Sequence, residues 1–263
     1  MKGRVLAVAG SDSGGGAGIQ ADIKTIAALG AYAATAITAL TAQNTQGVQG
    51  ILPVAPEFVR AQMAAVLDDI GADCIKTGML VDQGVIEAVA ATLEEKAADV
   101  PLVVDPVMVS SSGTRLLDAR ATDALKARLI ARARVVTPNA PEAAALAGLA
   151  VASLDDMRRA ADSILALGAA AVVVTGGHVP GPTVRDLVAA ADGSFVIEAP
   201  RIATRATHGT GCTFASAVAA SLAQGLGLKP AVERAQAFVR RAMAAAPVLG
   251  HGAGPLDHAA ARD

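Results

Sequence analysis

Short apolar runs alternate with segments of helical periodicity along most of the chain, and this alternation restricts the fold more than any other feature. Runs rich in valine, isoleucine and leucine predict buried strands at 5–9, 74–77, 102–104, 135–136 and 171–174. Strands that are apolar on both faces and alternate with helices predict a mostly parallel sheet covered on both sides. We therefore expect an α/β fold, a three-layer α/β/α sandwich formed by one domain over residues 1–263.

The predicted helices and the remaining strands complete this outline. Eight segments have the apolar spacing or the end signals of helices: 19–27, 56–71, 82–97, 118–131, 139–147, 153–167, 211–225 and 229–245. Residues 31–41 form a further β-rich stretch, and 184–199 predict a hairpin with an Asp192-Gly193 turn. The helix-poor region 32–53 predicts one or two antiparallel strands beside the main sheet. The tail after 245 is rich in glycine and alanine, and we expect it to be loosely ordered.

Composition and charge exclude several classes of partner. The net charge is −2 with both signs mixed along the chain, and the only aromatics are one tyrosine and four phenylalanines. We therefore expect no nucleic-acid partner, which would need a basic patch or stacking aromatics. No run approaches the roughly 18 apolar residues of a membrane span, so we expect a cytoplasmic protein without a membrane partner. Cys74 and Cys212 form no Cys-x-x-Cys pair, which argues against a disulfide scaffold or a zinc cluster.

Two glycine-rich loops, 10–18 and 209–212, each precede a predicted helix. A helix N-terminus attracts anions, and glycine lets a phosphate approach the backbone closely. The first loop fits neither common nucleotide motif, because Ile19 replaces the third glycine of a dinucleotide fingerprint and Gly16 replaces the lysine of a Walker A sequence. A tight strand-to-helix turn remains the alternative for this loop.

The second loop places Cys212 directly after Gly209, Thr210 and Gly211, at the predicted start of a helix. The helix N-terminus should lower the pKa of this thiol, because it favours the thiolate. A thiolate there is suited to take a proton from a substrate hydroxyl, while the backbone amides stabilise charge on a transferring group. The spacing alone leaves open a structural role, in which Cys212 is a small residue packed behind a turn.

Several long motifs occur in an order that resembles a known family. They cover residues 9–22, 37–45, 76–80, 105–108, 137–142, 176–178 and 207–212. The chain is similar along nearly its whole length to the hydroxymethylpyrimidine/phosphomethylpyrimidine kinases of thiamine biosynthesis, within the ribokinase-like superfamily.

The resemblance implies that ATP phosphorylates 4-amino-5-hydroxymethyl-2-methylpyrimidine and then its monophosphate. It implies that Cys212 is the catalytic base, in an anion hole formed by Gly209, Thr210 and Gly211. Most of the superfamily carries aspartate where this chain has Cys212, whereas the vitamin-kinase branch uses cysteine.

The same resemblance assigns the pyrimidine pocket. Gln43 would contact the aminopyrimidine, since its amide both donates and accepts hydrogen bonds; a turn residue before Asn44 is the alternative. Ala17 and Asp22 would line the pocket wall. Met79 and Val107 would be apolar neighbours of the ring, or plain core residues.

Three polar residues are assigned to the phosphates and to Mg²⁺. Asn139 and Glu142 match the superfamily's Asn-x-x-Glu pattern near the magnesium–phosphate site, although the same spacing is typical of a helix cap. Asp105 follows an apolar strand, and open α/β sheets place ligands at the carboxyl ends of strands. We expect Mg²⁺ to be held through Glu142 and Asp105.

Two departures from the family concern positive charge. Many relatives have lysine where this chain has Thr175, and many have another lysine in the loop where Ser110, Ser111 and Ser112 stand. Both positions are expected near phosphates, so Arg115, Lys76 or Mg²⁺ would have to neutralise the triphosphate. The second phosphorylation is the step that these departures put most in question.

Two alternatives to the dual kinase remain at this stage. One is a pyridoxal or pyridoxine kinase of the same superfamily, which shares the cysteine-bearing loop. The other is a non-catalytic pyrimidine-binding module, suggested by the missing lysines and opposed by the intact Cys212 loop. By analogy with relatives we also expect a homodimer, with 32–53 as a candidate edge for pairing.

Overall fold

The computed structural model describes residues 1–110, 113–118 and 120–261, and a nine-stranded sheet runs through them. The strands are β1 Arg4–Asp12, β2 Tyr32–Asn44, β3 Gly47–Pro53, β4 Cys74–Thr77, β5 Leu102–Val104, β6 Val135–Val136, β7 Ala171–Val174, β8 Thr183–Ala190 and β9 Gly193–Pro200. Their order is β3-β2-β1-β4-β5-β6-β7-β8-β9. From β2 to β7 every neighbouring pair is parallel, and antiparallel pairing is confined to β2–β3, β7–β8 and β8–β9. The prediction of a mostly parallel sheet is confirmed.

Helices cover both faces of this sheet. They are α1 Gly18–Ala28, α2 Pro56–Asp69, α3 Gln83–Lys96, α4 Ala121–Ala124, α5 Ala140–Ala147, α6 Leu154–Leu165, α7 Thr210–Ala223 and α8 Leu228–Ala244. One core lies between the sheet and the layer of α2, α3, α5 and α6, and the other between the sheet and α1, α7 and α8. Successive residues of β1 enter opposite cores, Leu6 the first and Val5 the second. Full burial contributes roughly 1.5–3 kcal/mol for each such side chain, which explains why the strands are apolar on both faces.

Three predicted elements differ in detail. Region 32–53 forms β2 and β3 as predicted, but they extend the main sheet and β2 is parallel to β1. The predicted helix 118–131 is interrupted: α4 passes into a π-helical turn, Leu125–Leu129, and a short 3₁₀ turn. In the β8–β9 hairpin, Gly193 already pairs with Ala190, so the turn residues are 191 and 192. No helix in the described part of the chain is long and apolar enough to cross a membrane.

Residues 252–258 pack against the rest of the chain, so the expectation of a loose tail was wrong for them, whereas 247–251 are exposed. The amide of Ala253 donates to the Thr45 carbonyl at 3.0 Å, and Leu256 is buried against the second core. A Cβ at Gly252 would lie 1.8 Å from the Thr45 carbonyl oxygen. The small residues of this segment therefore permit close contact between backbones, where composition alone suggested flexibility.

Candidate active site

The motif residues converge at the carboxyl ends of β1, β4 and β5, where ligands bind in open α/β sheets. The first glycine loop leaves β1, Lys76 and Thr77 end β4, and Asp105 follows β5. The first turn of α7 reaches the same place from the second core and brings Cys212 with it.

The two glycine loops touch at this edge. Gly209 precedes α7 with a φ of 82°, and a Cβ there would lie 1.9 Å from the Gly16 carbonyl oxygen. Glycine at 209 is therefore required both by its left-handed backbone and by the neighbouring chain. The Gly18 amide forms a hydrogen bond with the Cys212 thiol and favours its charged form. The predicted anion hole and the first loop thus form one surface.

A charged cluster is buried beneath Cys212. Lys76 is completely buried, with Nζ 3.0 Å from Asp22 Oδ1 and 3.6 Å from Asp105 Oδ2. Ser216, one turn along α7 from Cys212, donates to the same Asp22 oxygen at 2.6 Å. Burial alone would lower the pKa of Lys76, but the neighbouring negative groups raise it above its usual value. The ammonium therefore stays charged and offsets two carboxylates inside the protein.

This cluster corrects two expectations. Asp22 is completely buried, so it lies behind the pocket rather than forming its wall. Lys76 is equally buried and engaged by carboxylates, so in this structure it presents no surface to a triphosphate.

The expected low pKa of Cys212 was also wrong. Burial raises the pKa of the Cys212 thiol to about 12, and the charges of Asp105 and Asp22 add to this effect. Lys76 and the Gly18 amide act in the opposite direction but do not prevail. The residue keeps partial exposure to solvent, which weakens the effect of burial, yet both carboxylates still favour the neutral thiol. Burial of the thiol is the main cause of the raised pKa, and with the two carboxylates it outweighs the dipole of α7.

Asp12 organises the first glycine loop. Its Oδ1 accepts the Gly14 amide at 2.8 Å, and its Oδ2 accepts the amides of Gly16 and Ala17 at 3.0 and 2.8 Å. The same Oδ2 lies 2.8 Å from His208 Nε2, on the residue that precedes Gly209. Burial alone would raise the pKa of Asp12, but the hydrogen bonds from His208 and the loop amides lower it. Asp12 is therefore an ionised anchor that joins both loops.

Of the predicted pyrimidine residues, Gln43 and Ala17 are linked to this anchor. Gln43 lies at the end of β2, with its amide nitrogen 3.4 Å from His208 Nε2 and its amide oxygen 3.1 Å from the Thr41 hydroxyl. Ala17 is the partly buried residue before α1, and Val107 is also partly buried. Met79 is buried, and a Cβ at Gly10 would lie 3.0 Å from its sulfur.

A cavity of about 180 Å³ adjoins Gln43 and His208. Residues 44–47 and the C-terminal residues Gly252 and Ala253 complete its lining. A larger, open groove of about 640 Å³ lies at the opposite end of the sheet, where β5, β6 and β7 begin. None of the motif residues lines that groove, so the smaller cavity is the one associated with the site.

The third acidic residue adjoins Asp105. Asn139 and Glu142 form a complete capping box at the start of α5, each side chain accepting the other's backbone amide at 2.9 Å. Burial raises the pKa of Glu142 to about 8, and the charge of Asp105 contributes. Burial likewise raises the pKa of Asp105 to about 6. Asn139 and Glu142 can therefore cap α5 and also belong to a magnesium–phosphate site.

The fit of this pair to Mg²⁺ can be judged from their unsatisfied groups. Asp105 Oδ2 is buried without a hydrogen-bond donor, and a nearby cation would stabilise both carboxylates. No group of three or more His, Cys, Asp or Glu side chains suited to a metal occurs among the described residues. Mg²⁺ commonly uses one or two carboxylates together with waters and substrate phosphates, so Asp105 and Glu142 fit an ion that arrives with ATP.

Thr175, one of the positions that lack lysine, lies on this side of the site. Thr175 pairs with Asn139 through an isolated bridge next to α5. Ser111 and Ser112 lie outside the described residues, while Ser110 accepts the Thr114 amide at 3.0 Å. Arg115 in the same loop is exposed, which leaves it as the remaining candidate cation.

Sequence reasoning missed Asp12, His208, Ser216 and the C-terminal wall of the cavity. The local sequence could have predicted the role of Asp12, because an aspartate two residues before a glycine often accepts hydrogen bonds from the following backbone amides. His208 and Ser216 have no such local signal, because their partners lie 196 and 194 residues away in the chain.

Comparison with known proteins identifies close relatives. The profile of the phosphomethylpyrimidine kinase family matches residues 12–257. A hydroxymethylpyrimidine/phosphomethylpyrimidine kinase from Streptomyces coelicolor is 48% identical over 254 residues, covering 97% of this chain and 93% of that protein. The ADP complex of Bacillus subtilis pyridoxal kinase superposes with a TM-score of 0.92 at 39% identity, covering 100% of this chain and 99% of that one. A phosphomethylpyrimidine kinase structure from Clostridium difficile has a TM-score of 0.80 at 37% identity, covering 91% and 98%.

Proposed function

The chain belongs to the phosphomethylpyrimidine kinase family and has its ribokinase-like fold, and on this premise we propose its reaction and the residues that perform it. ATP phosphorylates 4-amino-5-hydroxymethyl-2-methylpyrimidine and then its monophosphate to the diphosphate, as a step of thiamine biosynthesis. The observation that carries the proposal is the position of Cys212, in the first turn of α7 where the second glycine loop meets the first.

In the first phosphorylation, Cys212 takes the proton of the substrate hydroxyl. The hydroxyl oxygen forms a bond to the γ-phosphorus of ATP while the bond to the leaving ADP oxygen breaks. Backbone amides of the first turn of α7, including those of Gly211 and Cys212, lack acceptors within the helix and point to where charge develops. Phosphoryl transfer needs little covalent assistance, so most of the rate comes from positioning and charge stabilisation.

A neutral thiol cannot accept a proton, so Cys212 must first release its own proton to solvent. Positive charge near Asp105 and Asp22 would favour that ionisation, and a thiolate of high pKa is then a strong base. Mg²⁺ held near Asp105 and Glu142 would supply such charge. Lys76 already holds Asp22 and Asp105 in place from below.

The second phosphorylation has a different requirement. Its acceptor is a phosphate oxygen of the pyrimidine monophosphate, and a phosphate monoester with a second pKa of about 6 is already largely ionised at neutral pH. No strong base is needed, but an additional dianion must be accommodated. Arg115 is an exposed cation of the loop after β5 and a candidate for this task.

The proposal is tested by a coupled assay of ADP release with the pyrimidine alcohol and its monophosphate, run side by side with ATP and Mg²⁺. We expect turnover of both. Turnover of neither would reject the kinase and favour the pyrimidine-binding module, for which calorimetry of ligand binding is the next measurement.

A pyridoxal kinase is the second candidate, because the Bacillus subtilis pyridoxal kinase structure is so similar along the whole chain. Gln43 and Met79 favour the pyrimidine, since the amide suits a ring nitrogen beside an amine. Steady-state rates on both compounds separate the two functions, and a higher kcat/KM for pyridoxal would reverse the assignment.

We also propose that the chain is a homodimer formed through β2 and β3. Leu40 and Leu52 are directly paired across these strands and are 47% and 64% exposed, an apolar patch at the sheet edge. Exposed apolar patches on an edge strand favour association. Sedimentation velocity should give a dimer, and Leu52→Glu should shift it toward the monomer. The continuous sheet supports a single kinase domain over 1–263, and the cytoplasmic location stays a prediction.

A further inference from the structure

His208 stands between the substrate residue Gln43 and the anchor Asp12, and it has no role in the function proposed so far. Its ring is buried, with Nε2 2.8 Å from Asp12 Oδ2 and 3.4 Å from the Gln43 amide nitrogen. A single ring nitrogen therefore faces both the Asp12 carboxylate and the Gln43 amide. Only one placement of the hydrogens on His208 and Gln43 satisfies both contacts.

Asp12 determines which hydrogen His208 carries. The carboxylate accepts the amides of Gly14, Gly16 and Ala17, so it acts only as an acceptor. At 2.8 Å its fourth partner, Nε2 of His208, must be a donor. The imidazole consequently has its hydrogen on Nε2, and this nitrogen has no lone pair for the Gln43 amide.

That tautomer in turn determines the orientation of Gln43. If the amide nitrogen of Gln43 faced Nε2–H, two hydrogen-bond donors would point at each other. The amide oxygen, in contrast, can accept a hydrogen bond from Nε2–H, which Asp12 then shares. Rotating the terminal amide by half a turn places the oxygen toward His208 and the nitrogen toward the Thr41 hydroxyl. The Thr41 hydroxyl already donates to the Ser11 carbonyl at 2.9 Å, so it accepts the amide hydrogen without conflict.

Thr41 does not enforce this choice. A hydroxyl both donates and accepts, so it tolerates either orientation of the amide. The imidazole, with its hydrogen held by Asp12, offers only a donor. The difference between the two orientations of Gln43 is therefore set mainly by His208.

We propose that His208, oriented by Asp12, is a positioning residue that determines which edge of the Gln43 amide faces the substrate and thereby selects a 4-aminopyrimidine over a 4-oxopyrimidine. The inference rests on the proposed function for its substrate. With the amide fixed, one N–H and one oxygen lone pair stay available at defined places. A 4-aminopyrimidine offers an acceptor nitrogen beside a donor amine, and a 4-oxopyrimidine offers the reverse pattern, which would suit only the opposite amide.

The same residue joins recognition to the anion hole. His208 directly precedes Gly209, and a Cβ at Gly16 would lie 2.4 Å from His208 Cδ2. The His208 amide donates to the Gly254 carbonyl at 3.1 Å, which ties the residue to the C-terminal wall as well. A change at 208 should therefore affect pyrimidine binding more than ATP binding.

The test compares kcat/KM for 5-hydroxymethyl-2-methylpyrimidines that carry a 4-amino or a 4-oxo group. In His208→Leu the amide is released, and we expect the amino-to-oxo preference to fall about tenfold or more, since unpaired polar groups dominate such discrimination. KM for the aminopyrimidine should rise while KM for ATP changes less than about twofold. His208→Gln keeps a donor near the position of Nε2 and should retain most of the preference.

Two further variants keep the test decisive if His208→Leu does not fold. Thr41→Val should lower affinity for both pyrimidines yet preserve their ratio, whereas Arg158→Leu, at an exposed residue of α6 outside the site, should change nothing. Equal losses on both substrates in His208→Leu, or a ratio altered by Thr41→Val as strongly as expected for His208→Leu, would overturn the inference. Absence of any wild-type turnover would instead reject the proposed function, so the two failures are distinct.

Discussion

Cys74 and Cys212 lie at opposite ends of β4, and their surroundings differ in kind. Cys74 begins the strand within the second core, and burial raises the pKa of its thiol to about 12. Cys212 reaches the other end of the strand from α7, where burial again raises the thiol pKa to about 12; Asp105 and Asp22 add to this effect and Lys76 opposes it. The side chains packed around Cys74 in the second core are mainly apolar. The charges around Cys212 can be balanced by a ligand. The two thiols therefore have similar pKa values, but only the Cys212 thiol should respond to ligand binding.

The largest expected effect separates the two cysteines by activity. Cys212→Ala removes the base, and kcat for the first phosphorylation should fall about 10²–10⁴-fold. Its dissociation constant for the pyrimidine, measured by calorimetry, should change far less. Cys74→Ala is the matched control and should keep kcat, with a loss of roughly 1 kcal/mol in unfolding free energy. Unchanged turnover in Cys212→Ala would refute the role of base.

The second prediction concerns stability at the charged end of β4. Lys76→Met leaves Asp22 and Asp105 buried without a counter-ion, and the free energy of unfolding should fall by about 3–5 kcal/mol. Urea titration followed by circular dichroism measures the change. Adding Asp22→Asn removes one of the two charges and should recover part of the loss. A Lys76→Met protein as stable as the wild type would show that Lys76 does not offset buried negative charge on Asp22 and Asp105.

The third prediction uses the raised pKa directly. For an acid, a higher pKa leaves less thiolate at a given pH, so iodoacetamide should alkylate Cys212 slowly at pH 8 despite its partial exposure. After allowing for the greater nucleophilicity of a more basic thiolate, we expect a rate on the order of 10²-fold below that of glutathione. The rate should still rise with pH above 10. Mass spectrometry of the Cys74→Ala background isolates this thiol, and a rate equal to that of glutathione would contradict the charge argument.

The smallest expected effect distinguishes the two phosphorylations. Because the monophosphate acceptor is already ionised, Cys212→Ala should slow the second phosphorylation about tenfold less than the first. Rates with the alcohol and the monophosphate, measured under saturating ATP, test this difference. Identical losses in both steps would mean that Cys212 acts by shaping the anion hole rather than by accepting a proton.

The sheet could be predicted closely, and the site only in part. The buried strands 74–77, 102–104 and 171–174 match the structure to the residue, because apolar runs bounded by turn residues are a local signal. Cys212 and Gln43 could be proposed as site residues because their motifs are contiguous in the sequence. The Asp12–His208 pair joins residues 196 positions apart and has no local pattern.

Two errors have the same physical origin. The low pKa predicted for Cys212 considered the helix dipole alone, since nothing in the local sequence places Asp22 and Asp105 beside the thiol. The loose tail was predicted from glycine and alanine content, although Gly252 is small because it meets the Thr45 backbone. In both cases the decisive neighbour belongs to another part of the chain, and local propensity describes only the residue's own conformation.

The C-terminal segment has a consequence for synthesis of the protein. The ribosome builds a chain from its amino end, so all nine strands are made before Gly252 and Ala253 reach the cavity that they line. A nascent chain that has not passed residue 250 has a complete sheet but lacks one wall of the pocket. The pocket therefore gains this wall only after the residues of the whole sheet have been synthesised.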